Sequence, residues 1–165
     1  MDNYSGWMQE SHLSTTMDHD IPDTMLKKRV LQDQELRFKW GEGIEWATKV
    51  DLTTEEIVME ATIPNRSYVA IGFGPNMRGT DMIVWRWKDD FTKVDNLYSN
   101  GYTRPPSDQT SYLKTTIHNS VDGKFKTFTT RRPLDTGNVL DFVVPIDGQE
   151  IVMCYAYRTG NGDFI

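Results

Sequence analysis

Few side chains in the sequence combine the type and the spacing that chemistry requires. His19 lies between Asp18 and Asp20, and an imidazole beside two carboxylates could bind a metal ion weakly. Zinc needs three or four converging ligands, so a solvated polar segment is the favoured interpretation, and no metal site is predicted. Cys154, the one cysteine, lies in an alternating apolar stretch and is predicted to be a small buried residue, not a nucleophile.

Paired acids are the other candidates for catalysis, as a general acid and a general base. Glu55 and Glu56, and likewise Asp89 and Asp90, are adjacent in the sequence at predicted strand ends and turns. Neighbouring residues of a strand point to opposite faces, so these pairs are poor catalytic candidates. The sequence also lacks the HExxH, CxxC and GxSxG motifs. No catalytic residue is predicted, and the protein is predicted not to be an enzyme.

The stretch DMIVWRWK could form a binding surface. In a strand, Ile83, Trp85 and Trp87 would share one face, and both faces are apolar at the start of the stretch. The aromatic rings could stack on a sugar or a porphyrin, or they could contact a partner protein. The favoured interpretation is that these residues fill the interior of the domain.

The greater part of the chain has the pattern of a β protein. Stretches such as LRFKW, EIVMEATI, YVAIGF and LDFVVPI alternate apolar and polar residues or are rich in β-branched and aromatic residues. Asp-Gly turn signals at 122–123 and 147–148 are typical of hairpins. Together they predict an all-β antiparallel sandwich for residues 35–165. The positions predicted to contribute to its core are Phe38, Trp40, Val69, Ile71, Phe73, Val84, Phe142 and Val144.

Composition argues against several classes of function. The formal net charge is −6 and the basic residues are scattered, which argues against a nucleic-acid partner. No apolar run approaches the roughly 20 residues that a membrane helix needs. The N-terminal stretch has neither the apolar core of a signal peptide nor the arginines of a transit peptide, which favours a location inside the cell or within an organelle.

Residues 1–34 are polar and are predicted to form an N-terminal arm separate from the sandwich. Within the arm, DIPDTMLKKRVLQDQEL offers an aspartate cap and an apolar stripe, which predicts a short helix. The arm has too few large apolar residues for its own core, so it is expected to order only by docking on an existing surface. We expect that surface to belong to other protein subunits of a larger assembly, with contacts from Trp7, Met8, Ile21, Met25, Leu26 and Val30.

Four phrases in the second part of the chain resemble those of the DOMON domain family. In order, they are SYVAIGFGPNMRGTDMIVW, DNLYSNGYTRPPSD, FTTRRPLDTGN and YAYRTGNGD. The resemblance implies an immunoglobulin-like β-sandwich, in agreement with the strand pattern. It also implies a binding or interaction module, since some members bind haem b and transfer electrons, while others are thought to bind sugars or to help a neighbouring domain assemble.

The resemblance also implies which residues would ligate haem if haem is bound. Met77 matches the methionine that ligates iron in the cytochrome-type members. Those members supply a histidine after the A-Y-G phrase, whereas here no histidine follows Tyr157 and His118 is the only histidine inside the sandwich. Haem b is therefore the alternative, with Met77 and His118 as its candidate ligands, and the main expectation is that no cofactor is bound.

The polar residues of the motifs are predicted to serve the fold. Asp81 is expected to accept hydrogen bonds from loop amides, and Arg132 is expected to bridge loop carbonyls. Asp135 is expected to close an Asx turn with the following amides. The main hypothesis is a non-catalytic DOMON-like binding or assembly subunit of a larger complex. A b-type haem electron-transfer domain and a sugar-binding module are the alternatives.

Overall fold

The computed structural model describes residues 25–29, 35–76, 78–100, 112–146 and 149–160. The regular elements of these residues are ten strands and one short 3-10 helix, Gly41–Gly43. None of them forms a helix long and apolar enough to cross a membrane. The strands are β1 Met25–Arg29, β2 Leu36–Lys39, β3 Glu45–Asp51, β4 Glu56–Pro64, β5 Ser67–Phe73, β6 Thr80–Lys88, β7 Phe91–Ser99, β8 Lys114–Asn119, β9 Phe125–Pro133 and β10 Glu150–Arg158.

The strands form two five-stranded antiparallel sheets. Sheet A has the order β1-β10-β5-β6-β7, and sheet B has the order β2-β3-β4-β9-β8. Consecutive strands mostly pair as hairpins, as in the β5–β6 ladder from Ser67 opposite Trp87 to Phe73 opposite Asp81. The predicted all-β sandwich is confirmed.

The core lies between the two sheets and is made by alternate residues of each strand. Trp46 and Phe128 from sheet B and Trp85 from sheet A are fully buried there. Of the predicted core positions, Val69, Ile71, Phe73 and Val144 are buried in this cluster, and Phe38, Trp40 and Phe142 are partly buried against it. Val84 is also buried, but it belongs to a separate apolar cluster.

The N-terminal arm contains a strand where the sequence predicted part of a helix. Met25 pairs with Cys154 and Arg29 with Glu150, so β1 extends sheet A along β10. The edge of β10 supplies backbone partners for every second amide of β1, whereas an isolated helix of this length is marginal in water. This part of the arm therefore pairs with a strand of its own domain.

The stretch LDFVVPI, predicted to be a strand, is irregular in the structure. Pro145 has no amide to donate to a ladder, and Val144 N instead donates to Leu134 O at 2.9 Å within the connection between β9 and β10. The apolar residues of this segment alternate because the segment packs against the core as a loop, with Val144 buried in the core.

Candidate functional site: a buried ion pair and the loop it anchors

A buried ion pair joins two of the motif phrases across the sandwich. Asp81 lies at the start of β6 in sheet A, and Arg132 lies near the end of β9 in sheet B. Arg132 Nη1 donates to Asp81 Oδ2 at 2.5 Å, and the Arg132 side chain is fully buried. The two charged groups occupy a position between the sheets where apolar side chains would otherwise pack. Their bond links the two sheets, and burying both charges costs desolvation free energy.

The pair holds the backbone of Phe142 from both sides. Arg132 Nη2 donates to Phe142 O at 2.5 Å, and Phe142 N donates to Asp81 Oδ2 at 2.8 Å. These charge-assisted bonds are stronger than ordinary amide bonds. They anchor residues 134–146, which we call the anchored loop.

Aromatic rings cover the ion pair. The rings of Phe73 and Phe142 stack with centroids 5.3 Å apart and planes 1° apart. The Arg132 guanidinium lies 4.9 Å from the centroid of the Phe73 ring. This arrangement adds a cation–π contact to the pair and keeps water away from it.

A second carboxylate, Asp141, fixes the first half of the anchored loop. Thr136 Oγ1 donates to Asp141 Oδ2 at 2.7 Å, and Asn96 Nδ2 of β7 donates to Asp141 Oδ1 at 3.2 Å. Asp135 Oδ1 accepts from Gly137 N at 2.8 Å, as expected for an Asx turn. Gly137 has a φ of +73°, which explains the glycine at this turn.

Burial raises the pKa of Asp81 above its ordinary value, and the neighbouring Asp141 charge adds to that shift. The Arg132 charge and the Phe142 amide act in the opposite direction. Among the described residues, Asp81 Oδ1 and Arg132 Nε have no hydrogen-bond partner. The prediction that Asp81 accepts from a loop amide is correct in kind, but the amide belongs to Phe142 and not to the neighbouring glycine-rich loop.

The anchored loop exposes apolar side chains to solvent. Its exposed residues are Val139 at 97%, Leu140 at 47%, Val143 at 54% and Ile146 at 57%. Phe142 and Val144, between them, turn inward and pack against the core. We call the four exposed residues the loop patch.

The tryptophan-bearing face is buried in the core. Ile83 and Trp85 are 0% exposed, and Trp87 is 7% exposed. Trp85 Nε1 donates to Thr130 Oγ1 of sheet B at 2.9 Å. The interpretation of these residues as a ligand or partner surface is therefore wrong, because the second sheet covers them.

Of the two candidate haem ligands, the structure describes only His118. Met77 lies outside the described part of the chain, in the β5–β6 loop that ends at Thr80 beside Asp81. His118 is exposed on β8 and pairs with Thr127, which is five residues from Arg132 along β9. Five residues of strand span about 17 Å, so His118 lies towards the opposite end of the sandwich from this loop.

The other candidate residues divide between the described and undescribed parts of the chain. Trp7, Met8, Ile21 and Val30 lie outside the described residues, as does His19. Within the described ranges, no three His, Cys, Asp or Glu side chains are grouped closely enough to hold a metal ion. Cys154 is buried as predicted, and burial raises the pKa of its thiol to about 11.

Sequence reasoning missed the loop patch because the alternation in LDFVVPI suggested a strand with a buried face. Two signals in the sequence indicate otherwise. Asn138 follows a turn glycine, and its side chain accepts from Leu140 N at 3.1 Å, which breaks an extended run. Pro145 then prevents pairing on one side of the segment. Both signals mark a loop, and an apolar loop is a candidate contact surface.

Comparison with known proteins gives one family and several solved structures. A family model described as DOMON domain matches residues 42–158. No curated protein matches significantly. The cytochrome domain of Myriococcum thermophilum cellobiose dehydrogenase is 12% identical, with a TM-score of 0.43, over 59% of this chain and 53% of that one. The cytochrome b domain of pyranose dehydrogenase from Coprinopsis cinerea is 16% identical, with a TM-score of 0.46, over 58% and 52%. The chain thus spans about half the length of these two structures.

Proposed function

Since the chain belongs to the DOMON domain family, we propose that it is a non-enzymatic binding module that joins another protein subunit in a larger assembly. The observation that supports this most is the loop patch, four apolar side chains exposed on a loop whose backbone is held by a buried ion pair. The motif residues Asp81 and Arg132 serve that anchoring, and both are engaged with each other and with Phe142.

The fixed backbone makes the loop patch suited to binding. An interface that orders on binding loses side-chain and backbone entropy, and a loop that is already fixed avoids most of that loss. Removing Val139, Leu140, Val143 and Ile146 from water would add the hydrophobic gain that exposed apolar groups offer. The partner should therefore present an apolar groove or pocket of matching shape.

Substitution of the loop patch tests this function. We expect Leu140→Asp together with Val143→Asp to abolish co-purification of the partner subunit with the tagged protein from its native source. Two carboxylates would then have to be buried without cations in the interface, at a cost of several kcal/mol. The measurement is the mass spectrum of the co-purified proteins, with crosslinks to residues 139–146 identifying the direct partner.

Val121→Asp provides the matched control. Val121 is also a fully exposed valine, but it lies in the turn between β8 and β9. The control variant should keep the same partner, and both variants should melt at the wild-type temperature because none of the three side chains is buried. Retention of the partner by the double variant, or equal loss in the control, would refute the role of the loop patch.

Haem b remains the competing function within this family. Of its two candidate ligands, Met77 lies outside the described residues, and His118 is exposed on the edge strand β8, away from the core that would have to enclose a ring of this size. We expect the purified protein to show no Soret band, and haem added in equimolar amount to stay in its free form. A sharp Soret band that is lost in Met77→Ala but kept in Met59→Ala, a core methionine, would reverse the assignment.

The sugar-binding alternative depended on the face formed by Ile83, Trp85 and Trp87. Since these side chains are buried between the sheets, a sugar could not stack on them without separating the sandwich. No described residue of that face supports this function.

A further inference from the structure

One exposed corner of the sandwich carries the acceptor pattern for attachment of a sugar to asparagine. Asn65, Arg66 and Ser67 have the pattern Asn-x-Ser, and the middle residue is not proline. The same triplet arises by chance in many proteins, so the sequence alone does not assign a site. The fold shows where the triplet lies and which of its polar groups are already bonded.

Asn65 lies in the tight connection that crosses from sheet B to sheet A. β4 ends at Pro64 and β5 begins at Ser67, so Asn65 and Arg66 alone form the corner, and both are exposed. Arg66 has a φ of +58°, a left-handed value that turns the chain sharply at this point. An exposed corner of this kind has room for a large substituent, which a position inside a strand does not.

The two polar atoms of the Asn65 amide differ in their bonding. Oδ1 accepts from Arg66 N at 2.8 Å and from Asp89 N, in the β6–β7 turn, at 2.7 Å. Nδ2 donates no hydrogen bond to any of the described residues. Attachment of a sugar replaces one hydrogen of Nδ2 and leaves Oδ1 an acceptor, so both turn bonds are retained in the modified side chain.

We propose that Asn65 is a site of N-linked glycosylation, with a lipid-linked oligosaccharide diphosphate as the donor. Asn65 Nδ2 forms a C–N bond to C1 of the first sugar, and the bond between C1 and the diphosphate oxygen breaks. Nδ2 gives up one proton and the lipid diphosphate leaves, so the step needs no oxidant or reductant. The Ser67 hydroxyl is part of the acceptor pattern, yet Ser67 is only 3% exposed in the folded domain. The transfer therefore precedes the folding of β5.

The one cysteine of the chain is compatible with the oxidising lumen in which such a transfer takes place. Cys154 is 5% exposed, and burial raises the pKa of its thiol to about 11. A buried thiol with so little thiolate resists disulfide formation and oxidation. Glycosylation narrows the location expected from the sequence to an organelle of the secretory pathway, through which the chain passes at least once.

A glycan on Asn65 leaves the loop patch accessible. Pro64, next to Asn65, pairs with Phe125 at the start of β9, whereas Arg132, which anchors the loop, lies seven residues further along the same strand. Seven residues of strand span about 23 Å, so the two sites lie towards opposite ends of the sandwich. Glycosylation at Asn65 and partner binding at the loop patch are therefore independent of each other.

Mass spectrometry of the full chain from its native source tests the site. The amidase that releases N-linked glycans converts the modified asparagine to aspartate, so in heavy-oxygen water the peptide with Asn65 should gain a heavy aspartate. Ser67→Ala should lose this label together with the mass of one glycan. The variant should still fold, because Ser67 Oγ makes one long hydrogen bond, 3.4 Å to Asn65 O. Equal melting temperatures of the two deglycosylated proteins would verify that.

Ser5→Ala is the matched control, since Asn3, Tyr4 and Ser5 form the other Asn-x-Ser pattern of the sequence. This variant should keep the full label on the peptide with Asn65, because the acceptor pattern at the corner is intact. An unlabelled Asn65 peptide from the wild-type protein would overturn the proposal. Full labelling of that peptide in Ser67→Ala would also overturn it, because the label would then not depend on the acceptor pattern.

Discussion

Replacing Arg132 with leucine should lower the free energy of unfolding by about 3 to 5 kcal/mol, the usual cost of removing one partner from a buried ion pair. The variant leaves the Asp81 carboxylate buried without its cation and removes the donor that holds Phe142 O. Leucine retains part of the packing against Phe73. The measurement is equilibrium denaturation in urea, which gives both the free energy of unfolding and its dependence on urea concentration.

The pH dependence of that loss identifies its cause. Burial already raises the pKa of Asp81, and removal of the Arg132 charge should raise it further. A carboxyl with a higher pKa in the folded than in the unfolded state costs stability above that pKa and regains it as the pH falls. The difference in free energy of unfolding between wild type and Arg132→Leu should therefore become smaller as the pH is lowered from 7 towards about 5.

The double variant Asp81→Asn with Arg132→Leu is the matched control. It removes both charges of this pair, so at pH 7 it should lose less stability than the sum of the losses of the two single variants. Its loss of stability relative to wild type should not depend on the titration of Asp81 in this pH range. A loss below about 1 kcal/mol for Arg132→Leu would show that the ion pair does not anchor the loop.

The role of Asp81 and Arg132 was predictable in kind, but their partnership was not. The motif phrases marked both residues as polar groups that serve the fold, and each does bind backbone of a loop. The two residues are 51 positions apart and lie on different sheets. The local sequence pattern does not show which polar residues of the two sheets will contact each other, because those contacts depend on how one sheet packs on the other.

The strands were predictable wherever local pattern and tertiary environment agree. β5 and β6 follow from β-branched and aromatic runs separated by a glycine-rich turn. β1 was predicted as a helix because Met25 and Leu26 also fit a helical stripe, and its strand conformation comes from pairing with β10, 121 or more residues away. Long-range pairing overrides weak local propensity in short segments.

The ambiguity of the tryptophan stretch has a specific structural cause. Both faces of β6 are buried. Ile83 and Trp85 belong to the core between the sheets, and Met82 and Val84 belong to the separate apolar cluster on the other face of sheet A. Period-2 alternation identifies the core face only when the other face is polar. A strand covered on both sides therefore has no polar face to orient it, and the sequence alone could not choose between core and surface.

Trp85→Ala should lower the free energy of unfolding by about 3 to 5 kcal/mol, the range for truncation of a buried aromatic residue. Trp85 is fully buried near the centre of β6, and its indole crosses to sheet B, where Nε1 donates to Thr130 Oγ1 at 2.9 Å. Trp85→Phe is the control for ring volume. It should cost far less, since most of the packing remains and Thr130 Oγ1 keeps its contact with Thr115 Oγ1 at 3.0 Å. If both substitutions were nearly neutral in urea denaturation, Trp85 would have to face solvent, and the packing of the two sheets described above would be wrong.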